Sequence, residues 1–279
     1  MDIADTTPHA PINISSNQDF IAQGWPGNGT QIDPYKIEGL QIEGERSCIN
    51  VSNTDAFFII RGCVLERDYR GRGYCINLDN VTNGAIRECF IQSDESGISL
   101  RASDSCSIEN CQIHTQFLGV NFEYCLASSL INSTLSCGGS AVFSNHSTNL
   151  EVISNEIDIG FYGYSGIEAS YTVGFRFFNN TVYAYLNLGI GVHYSSSGVI
   201  ANNSLKSCFY GIWLDNATNC DVLMNEVFDN WYGFIFEGTH GCKIELNSIH
   251  DNHDGIWTWG SNDTYSKNWF SANWYSNAV

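Results

Sequence analysis

The chain has 279 residues, of which 12 are basic and 30 are acidic, and its formal net charge is −18 at pH 7. This charge is opposite to the basic surface that nucleic-acid binding requires. A hydrophobic content of 43% is enough to build a core and argues against disorder. No run reaches the ~18 apolar residues of a membrane span. Abundant Asn and Gly with few Lys residues indicate β structure with many turns.

The first forty residues do not follow the pattern of the rest of the chain, and we predict that residues 1–40 form an N-terminal cap and first strand. Met1 to Phe20 is polar and has neither the basic nor the apolar segment of a signal peptide. We expect an extracellular or cell-surface location with the export signal outside this sequence; a cytoplasmic location is the alternative.

Residues 41–279 contain an internal repeat of about 22 residues. Short segments of alternating polarity are separated by Asn, Ser, Gly and Asp, which favours strands and turns over helices. We predict an all-β fold, a single-stranded right-handed parallel β-helix of about ten turns in one continuous domain. One ladder of apolar residues defines the period: Ile91, Ile113, Leu135, Ile157, Val182, Leu205, Val227, Ile249 and Phe270. A second ladder, Gly or Ala followed by an apolar residue, runs in step from Gly97 to Gly255.

The position two residues before the first ladder changes from Cys or Ser to Asn along the chain. Stacked Asn side chains can hydrogen-bond along a β-helix and tolerate left-handed backbone, so we predict an Asn ladder in this turn. Several of the 11 cysteines recur one turn apart. Because in-register side chains point the same way, a disulfide is awkward there, and we predict buried free thiols.

The repeat, with its N-x-[IVL] turn and its G-I-x-L strand, resembles the NosD-like or CASH repeats of the pectin-lyase-like superfamily. The opening segments around His9, Asp19-Phe20 and Asp33-Pro34-Tyr35-Lys36 resemble the N-terminal part of archaeal surface proteins that carry such repeats. The resemblance implies a right-handed β-helix. Since the family groups carbohydrate-binding proteins with lyases, epimerases and hydrolases, it implies no particular activity, and no catalytic motif can be transferred.

Alternate residues of the Gly-Ile strand face outward, and in the C-terminal repeats they form aromatic and acidic columns. Exposed indoles can stack on pyranose rings while carboxylates bind hydroxyls, so Trp213, Trp257 and Trp259 are predicted ligand-binding residues. Asp215, Glu237 and His193 are the predicted catalytic residues, because two carboxylates one turn apart suit a retaining glycosidase. The alternative is an aromatic face that only stabilises the sheet.

Two further clusters are candidate sites. Asp229, Asp251 and Asp254, beside two histidines in successive turns, could hold a divalent cation such as calcium, although turns attract Asp in any case. Arg67, Arg70 and Arg72 form a basic segment that could bind sugar carboxylates or sulfates. The alternative for this segment is pairing with Asp94 and Glu95.

We therefore predict a protein that binds or processes a polysaccharide; if it is an enzyme, it is a polysaccharide lyase, epimerase or glycoside hydrolase. The alternative is a non-catalytic, self-assembling surface scaffold. Residues 268–279 still resemble repeat sequence, so we expect either continuation of the β-helix or end-to-end association there. Nucleic acid and a membrane span are not expected.

Overall fold

The computed structural model describes residues 6–67 and 73–278. More than half of them belong to short parallel strands that recur about every 22 residues and pair with the equivalent strand one turn later. Three strands make one turn, so the chain forms three parallel sheets around one core. The predicted right-handed parallel β-helix is confirmed, with about eleven turns where about ten were predicted.

The first sheet has twelve strands and contains the apolar ladder found in the sequence. Its side chains pair in register, as in Ile91 with Ile113 and Ile113 with Leu135. The strands are β1 (Thr7–His9), β4 (Leu40–Glu43), β7 (Val64–Arg67), β10 (Phe90–Ser93), β13 (Gln112–Thr115), β16 (Thr134–Cys137), β19 (Glu156–Ile159), β22 (Thr181–Ala184), β25 (Ser204–Lys206), β28 (Glu226–Phe228), β31 (Ser248–His250) and β34 (Trp269–Ser271).

The second sheet, also of twelve strands, contains the Gly-apolar ladder. The residue after the glycine points into the core, as Ile190 and Ile212 do, and the next residue points out. The strands are β2 (Ile12–Ile14), β5 (Ile49–Thr54), β8 (Tyr74–Val81), β11 (Ser96–Arg101), β14 (Val120–Glu123), β17 (Val142–Asn145), β20 (Ser165–Ser170), β23 (Leu188–His193), β26 (Tyr210–Asp215), β29 (Tyr232–Glu237), β32 (Asp254–Trp259) and β35 (Ser276–Ala278).

The third sheet has eleven strands, and ion pairs join its outward side chains between turns. Examples are Arg61 with Glu38 at 3.1 Å and Arg87 with Glu109 at 3.1 Å. The strands are β3 (Tyr35–Glu38), β6 (Phe58–Arg61), β9 (Gly84–Arg87), β12 (Ser107–Glu109), β15 (Ser129–Ile131), β18 (Glu151–Ile153), β21 (Arg176–Phe178), β24 (Val199–Ala201), β27 (Asp221–Leu223), β30 (His240–Glu245) and β33 (Asn262–Ser266).

The predicted Asn ladder lies in the turn between the third and first sheets and is buried. Asn203 shows the pattern: its Nδ2 donates to Phe177 O and to Asn225 Oδ1, both at 2.9 Å, and its Oδ1 accepts from the backbone of Asn180 at 2.9 Å. Each amide thus satisfies backbone groups that the turn would leave buried and unpaired. A second Asn ladder, which the sequence analysis missed, joins Asn230, Asn252 and Asn273 in the turn between the first and second sheets.

The eleven cysteines are free and buried, as predicted. Seven of them occupy equivalent core positions on successive turns, in the sets Cys48/Cys75, Cys63/Cys89/Cys111 and Cys220/Cys242. The Cys75 and Cys48 sulfurs are 3.2 Å apart. Reduced thiols of this kind pack as small hydrophobic groups.

The N-terminal residues contribute the first strand of each sheet, so the turns begin before residue 40. The single helix of the described residues, α1 (Asn17–Ala22), buries Phe20 against Tyr35, with ring centroids 4.6 Å apart. That residues 1–40 function as a cap, and that the domain divides at residue 40, stay predictions.

Within the described residues, no helix is long and apolar enough to cross a membrane.

Candidate functional site

The two outward columns predicted for the C-terminal repeats lie side by side on the second sheet. The register brings together the residues that the sequence analysis placed in one site. One column contains Gly191, Trp213, Ile235 and Trp257, and the other contains His193, Asp215, Glu237 and Trp259. Neighbouring strands in a sheet are ~4.8 Å apart, so each column is a row of closely spaced side chains.

His193 and Asp215 lie next to each other on adjacent strands of this face. The Nδ1 atom of His193 lies 3.6 Å from Oδ2 of Asp215, and the side chains are 16% and 21% exposed. Asn216 donates from Nδ2 to the other carboxylate oxygen of Asp215 at 2.6 Å. Glu237 follows Asp215 on the next strand. The site therefore contains an imidazole beside one carboxylate, with a second carboxylate one strand further along the column.

The predicted aromatic residues differ in how they are packed. Trp213 is half-buried, with the ring of His193 edge-on at 5.1 Å and that of Tyr210 at 5.3 Å. Its indole N–H is buried and has no hydrogen-bond partner among the described residues. Trp257 is half-buried, whereas Trp259 is 72% exposed. Only Trp259 is therefore as open to solvent as the sequence analysis expected.

Tyr210 and Tyr232 extend the aromatic surface and were missed in the sequence analysis. Their rings stack at 5.6 Å on adjacent strands, next to Trp213. The signal in the sequence is a Tyr directly before the ladder glycine in two successive repeats. Because the predicted outward columns begin after that glycine, the position before it falls outside them.

The charges on this face are all negative. Strands β20, β23, β26, β29 and β32 contain no Lys or Arg. Three outward carboxylates, those of Glu168, Asp215 and Glu237, lie on the first, third and fourth of these strands, and Glu168 accepts a hydrogen bond from Ser165 at 3.0 Å. A ligand on this face meets carboxylates and aromatic rings.

A groove of about 350 Å³ lies at the turn between the first and second sheets, and we call it the acidic groove. Asp229 and Asp251 occupy the same position in this corner of the β-helix, on two successive coils, and both have positive φ. The groove is lined mainly by Tyr185, Asp229, Trp231, Asp251, His253 and Trp274.

The structure does not bring the three predicted cation ligands together. Asp229 and Asp251 line the acidic groove, but Asp254 is only 7% exposed and is engaged elsewhere. Its carboxylate is 2.8 Å from Nδ1 of His253 and accepts a hydrogen bond from Ser276 at 2.7 Å. Among residues 6–67 and 73–278, no three His, Cys, Asp or Glu side chains are grouped to hold a metal ion. The calcium-type site is therefore not formed by these residues.

The predicted arginine site is also different in the structure. Arg67 is only 1% exposed, and its Nε donates to the backbone oxygen of Arg46 at 2.8 Å. The guanidinium lies below the surface and does not reach a polysaccharide, so the prediction for Arg67 is wrong. The alternating pattern of β7 places this side chain inward, which the sequence analysis overlooked. Arg70 and Arg72 lie outside the described residues.

A second aromatic row lies at the turn between the second and third sheets. His146, Tyr171 and Tyr194 stack with ring centroids 4.9 and 5.3 Å apart, and Tyr124 lies tilted against His146 at 5.1 Å. All four residues have positive φ. The three tyrosines are about half exposed. Because each ring covers the face of the next, mainly ring edges meet solvent, so this row is suited to stabilising the turn rather than to binding a sugar face.

The sequence matches the family model described as "Periplasmic copper-binding protein (NosD)" over residues 12–197 and 156–279. No curated protein sequence matches the chain.

Three solved structures illustrate the similarity of the fold. The Dettilon tailspike protein is 12% identical with a TM-score of 0.69, over 85% of this chain and 56% of the tailspike chain. An alginate lyase from Paenibacillus sp. str. FPU-7 is 13% identical with a TM-score of 0.61, over 96% and 99% of the two chains. The A-module of an Azotobacter vinelandii mannuronan C-5 epimerase is 13% identical with a TM-score of 0.58, over 99% and 89%. At these identities the likeness concerns the fold.

Proposed function

The chain belongs to the NosD family, and from this premise we propose that it binds a polysaccharide along the outward face of the second sheet. The observation that carries the proposal is the joint register of Trp213 and Trp257 with His193, Asp215 and Glu237. A flat row of aromatic and acidic side chains suits sugar rings, whose apolar faces stack and whose hydroxyls donate to carboxylates. The names of the similar structures, a tailspike, an alginate lyase and an epimerase, support a glycan ligand.

Copper, which the family description names, does not fit the described residues. Copper sites are built from thiolate, thioether and imidazole ligands. The described residues contain no group of three candidate ligands, and the cysteines are at most 3% exposed. We derive no copper chemistry for this chain. The family's periplasmic description supports our proposal that the protein works outside the cytoplasm.

A glycan array followed by titration calorimetry tests the binding function. We expect the double variant Trp213→Ala and Trp257→Ala to bind at least tenfold more weakly, about 1.4 kcal/mol. Trp269→Ala is the matched control, since Trp269 is exposed on the first sheet and its removal should leave affinity unchanged. Equal loss in both variants would place the site elsewhere. No glycan binding, with end-to-end association that grows with concentration, would favour the scaffold alternative.

The His193–Asp215 pair beside Glu237 supports a second candidate function, hydrolysis of the bound glycan. Asp215 and Glu237 lie on adjacent strands, a spacing near the ~5 Å between carboxyl groups of retaining glycosidases. One carboxyl group would protonate the leaving oxygen while the other attacks the anomeric carbon, so that the glycosidic bond breaks and a glycosyl ester forms. The first group, now a carboxylate, would then take a proton from a water molecule that attacks the anomeric carbon, which releases the sugar and restores both carboxyl groups. His193 is a positioning residue for Asp215.

Release of reducing ends from the bound glycan measures this activity. We expect Asp215→Asn and Glu237→Gln each to lower turnover at least ~100-fold with glycan affinity retained. His193→Gln should lower turnover less and alter its pH profile. A wild-type protein that binds the glycan without cleaving it would limit the function to binding.

A further inference from the structure

We propose that the acidic groove binds an amino-sugar unit of the glycan through its ammonium group. This inference rests on the proposed glycan-binding function and names the chemical class of the ligand. The groove, of about 350 Å³, lies at the turn that leads from the first sheet into the second.

The carboxylates that line the groove favour a cationic ligand. Asp229 and Asp251 are both exposed and stand one turn apart at the same position. Asp251 is held by Nδ1 of His250 at 2.7 Å, whereas the side chain of Asp229 makes no hydrogen bond within the described part of the chain. No Lys or Arg lines the groove. Two neighbouring carboxylates repel each other, and an ammonium group between them removes that repulsion.

The aromatic side chains of the groove suit a sugar ring beside that charge. Trp274 is 82% exposed, and no ring of the described residues stacks on it. Its indole face can therefore take the apolar face of a pyranose or the ammonium itself. Trp231 is different, because His253 covers one of its faces at 4.4 Å and Phe209 lies over the other at 6.0 Å. Trp231 contributes an apolar edge to the groove.

The acidic groove is continuous with the face proposed for the glycan. The ring of Phe209 lies between those of Trp231 and Tyr210, at 6.0 and 4.7 Å, and Tyr210 contacts Trp213 at 5.3 Å. One extended glycan can therefore contact Trp213 and place a neighbouring unit in the groove.

A polyanionic glycan does not suit this surface. The groove presents Asp229 and Asp251, and the adjoining sheet face presents Glu168, Asp215 and Glu237 without a basic residue in its five strands. Each uronate carboxylate would meet like charge without a compensating cation. The surface thus selects against the polymers named in the alginate lyase and epimerase structures and in favour of a cationic glycan.

Titration with three oligosaccharides of equal length tests the inference: glucosamine, N-acetylglucosamine and mannuronate oligomers. We expect the glucosamine oligomer to bind at least tenfold more tightly than the acetylated one at low salt. This advantage should shrink at about 0.5 M NaCl, because ions screen exposed charges. Equal binding of the charged and acetylated oligomers would overturn the amino-sugar inference and leave the proposed function intact. Tighter binding of mannuronate would also overturn it. Binding of no glycan would overturn both.

Two charge-matched variants locate the effect. Asp229→Asn with Asp251→Asn should abolish the preference for glucosamine and leave N-acetylglucosamine binding unchanged; Asn tolerates positive φ, so the turns should fold. Glu88→Gln with Glu156→Gln changes the net charge equally at exposed positions on other turns and should keep the preference. If both variants lose the preference for glucosamine equally, the overall charge of the protein is responsible and the groove is not.

Discussion

At the residue scale, the side chains that make this fold specific are polar or sulfur-containing groups placed inside it. At two corners of the β-helix, Asn side chains hydrogen-bond to backbone groups that would otherwise be buried without a partner. Cysteine fills the equivalent positions on other turns, where its thiol hydrogen-bonds only weakly. Burial raises the pKa of Cys106, Cys137 and Cys208 to about 12 and that of Cys125 to about 11, from an ordinary 9.0.

These raised pKa values predict a loss of stability at alkaline pH. Because the folded state holds the thiol proton to higher pH than the unfolded state, the stabilisation is complete below about pH 9 and is lost progressively as the pH rises towards 12. We expect each of these four thiols to lower the free energy of unfolding by about 1 kcal/mol between pH 8 and 10. Urea denaturation at pH 8 and at pH 10 measures this change in the free energy of unfolding.

Cys208→Ala isolates one thiol from the other titrating groups. Its free energy of unfolding should fall by about 1 kcal/mol less than that of the wild type over the same pH range. Thr181→Ala, at an exposed position on β22, should show the wild-type slope. The explanation fails if the slope of Cys208→Ala is also unchanged.

At the element scale, contact between successive turns explains the glycine that precedes the inward apolar residue on most strands of the second sheet. A Cβ built on Gly211 would lie 2.5 Å from the backbone oxygen of Gly233 and 2.6 Å from Cγ1 of Val227. Gly189 and Gly233 meet the next turn at the same distance. At these three positions glycine is therefore favoured by the close approach of successive turns, whereas the adjoining apolar column is set by the core; on other turns the same position holds Ala141 or Cys75.

We expect Gly211→Ala to destabilise the protein by about 2 kcal/mol, since neither a backbone oxygen nor the core side chain can move away cheaply. Gly160→Ala is the matched control: its Cβ would meet only Cys137 O at 3.9 Å and its φ is not positive. It should be neutral or slightly stabilising, because alanine lowers the entropy of the unfolded chain. Chemical denaturation compares the two variants, and equal effects would contradict the steric explanation.

At the scale of the whole molecule, each turn is stabilised by its two neighbours, and charge is divided between the sheets. Basic residues of the third sheet pair with acids one turn away, as Arg176 does with Glu151 at 3.5 Å. The C-terminal strands of the second sheet carry acids but no Lys or Arg. The net charge of −18 is thus concentrated in part on the face and groove to which we assign a ligand.

Because contacts run between adjacent turns, removal of one whole turn should be tolerated. Asn203 and Asn225 are equivalent positions 22 residues apart, so deletion of 204–225 joins matching points and keeps every register. We expect a folded protein that unfolds cooperatively, with a melting temperature within about 5 °C of wild type. Deletion of 204–214 removes half a turn, misaligns all later strands and should prevent folding. Circular dichroism distinguishes the two, and failure of both to fold would contradict nearest-neighbour stability.

The sequence by itself determined the fold class, the period and the columns of the site. These features repeat at a fixed spacing, and a regular β-helix converts spacing into position with no further information. For this reason the spacing alone is enough to assign Trp213, Asp215 and Glu237 to one face.

The tertiary structure decided which of those side chains are accessible and what they contact. Arg67 is buried, Asp254 is paired with His253, and Trp213 is packed between His193 and Tyr210. It also revealed the acidic groove, whose residues lie in a turn between two sheets. Whether a given side chain is buried or paired depends on the residues of the neighbouring turns and on the path of the chain at each corner. The repeat pattern in the sequence does not specify these for an individual residue.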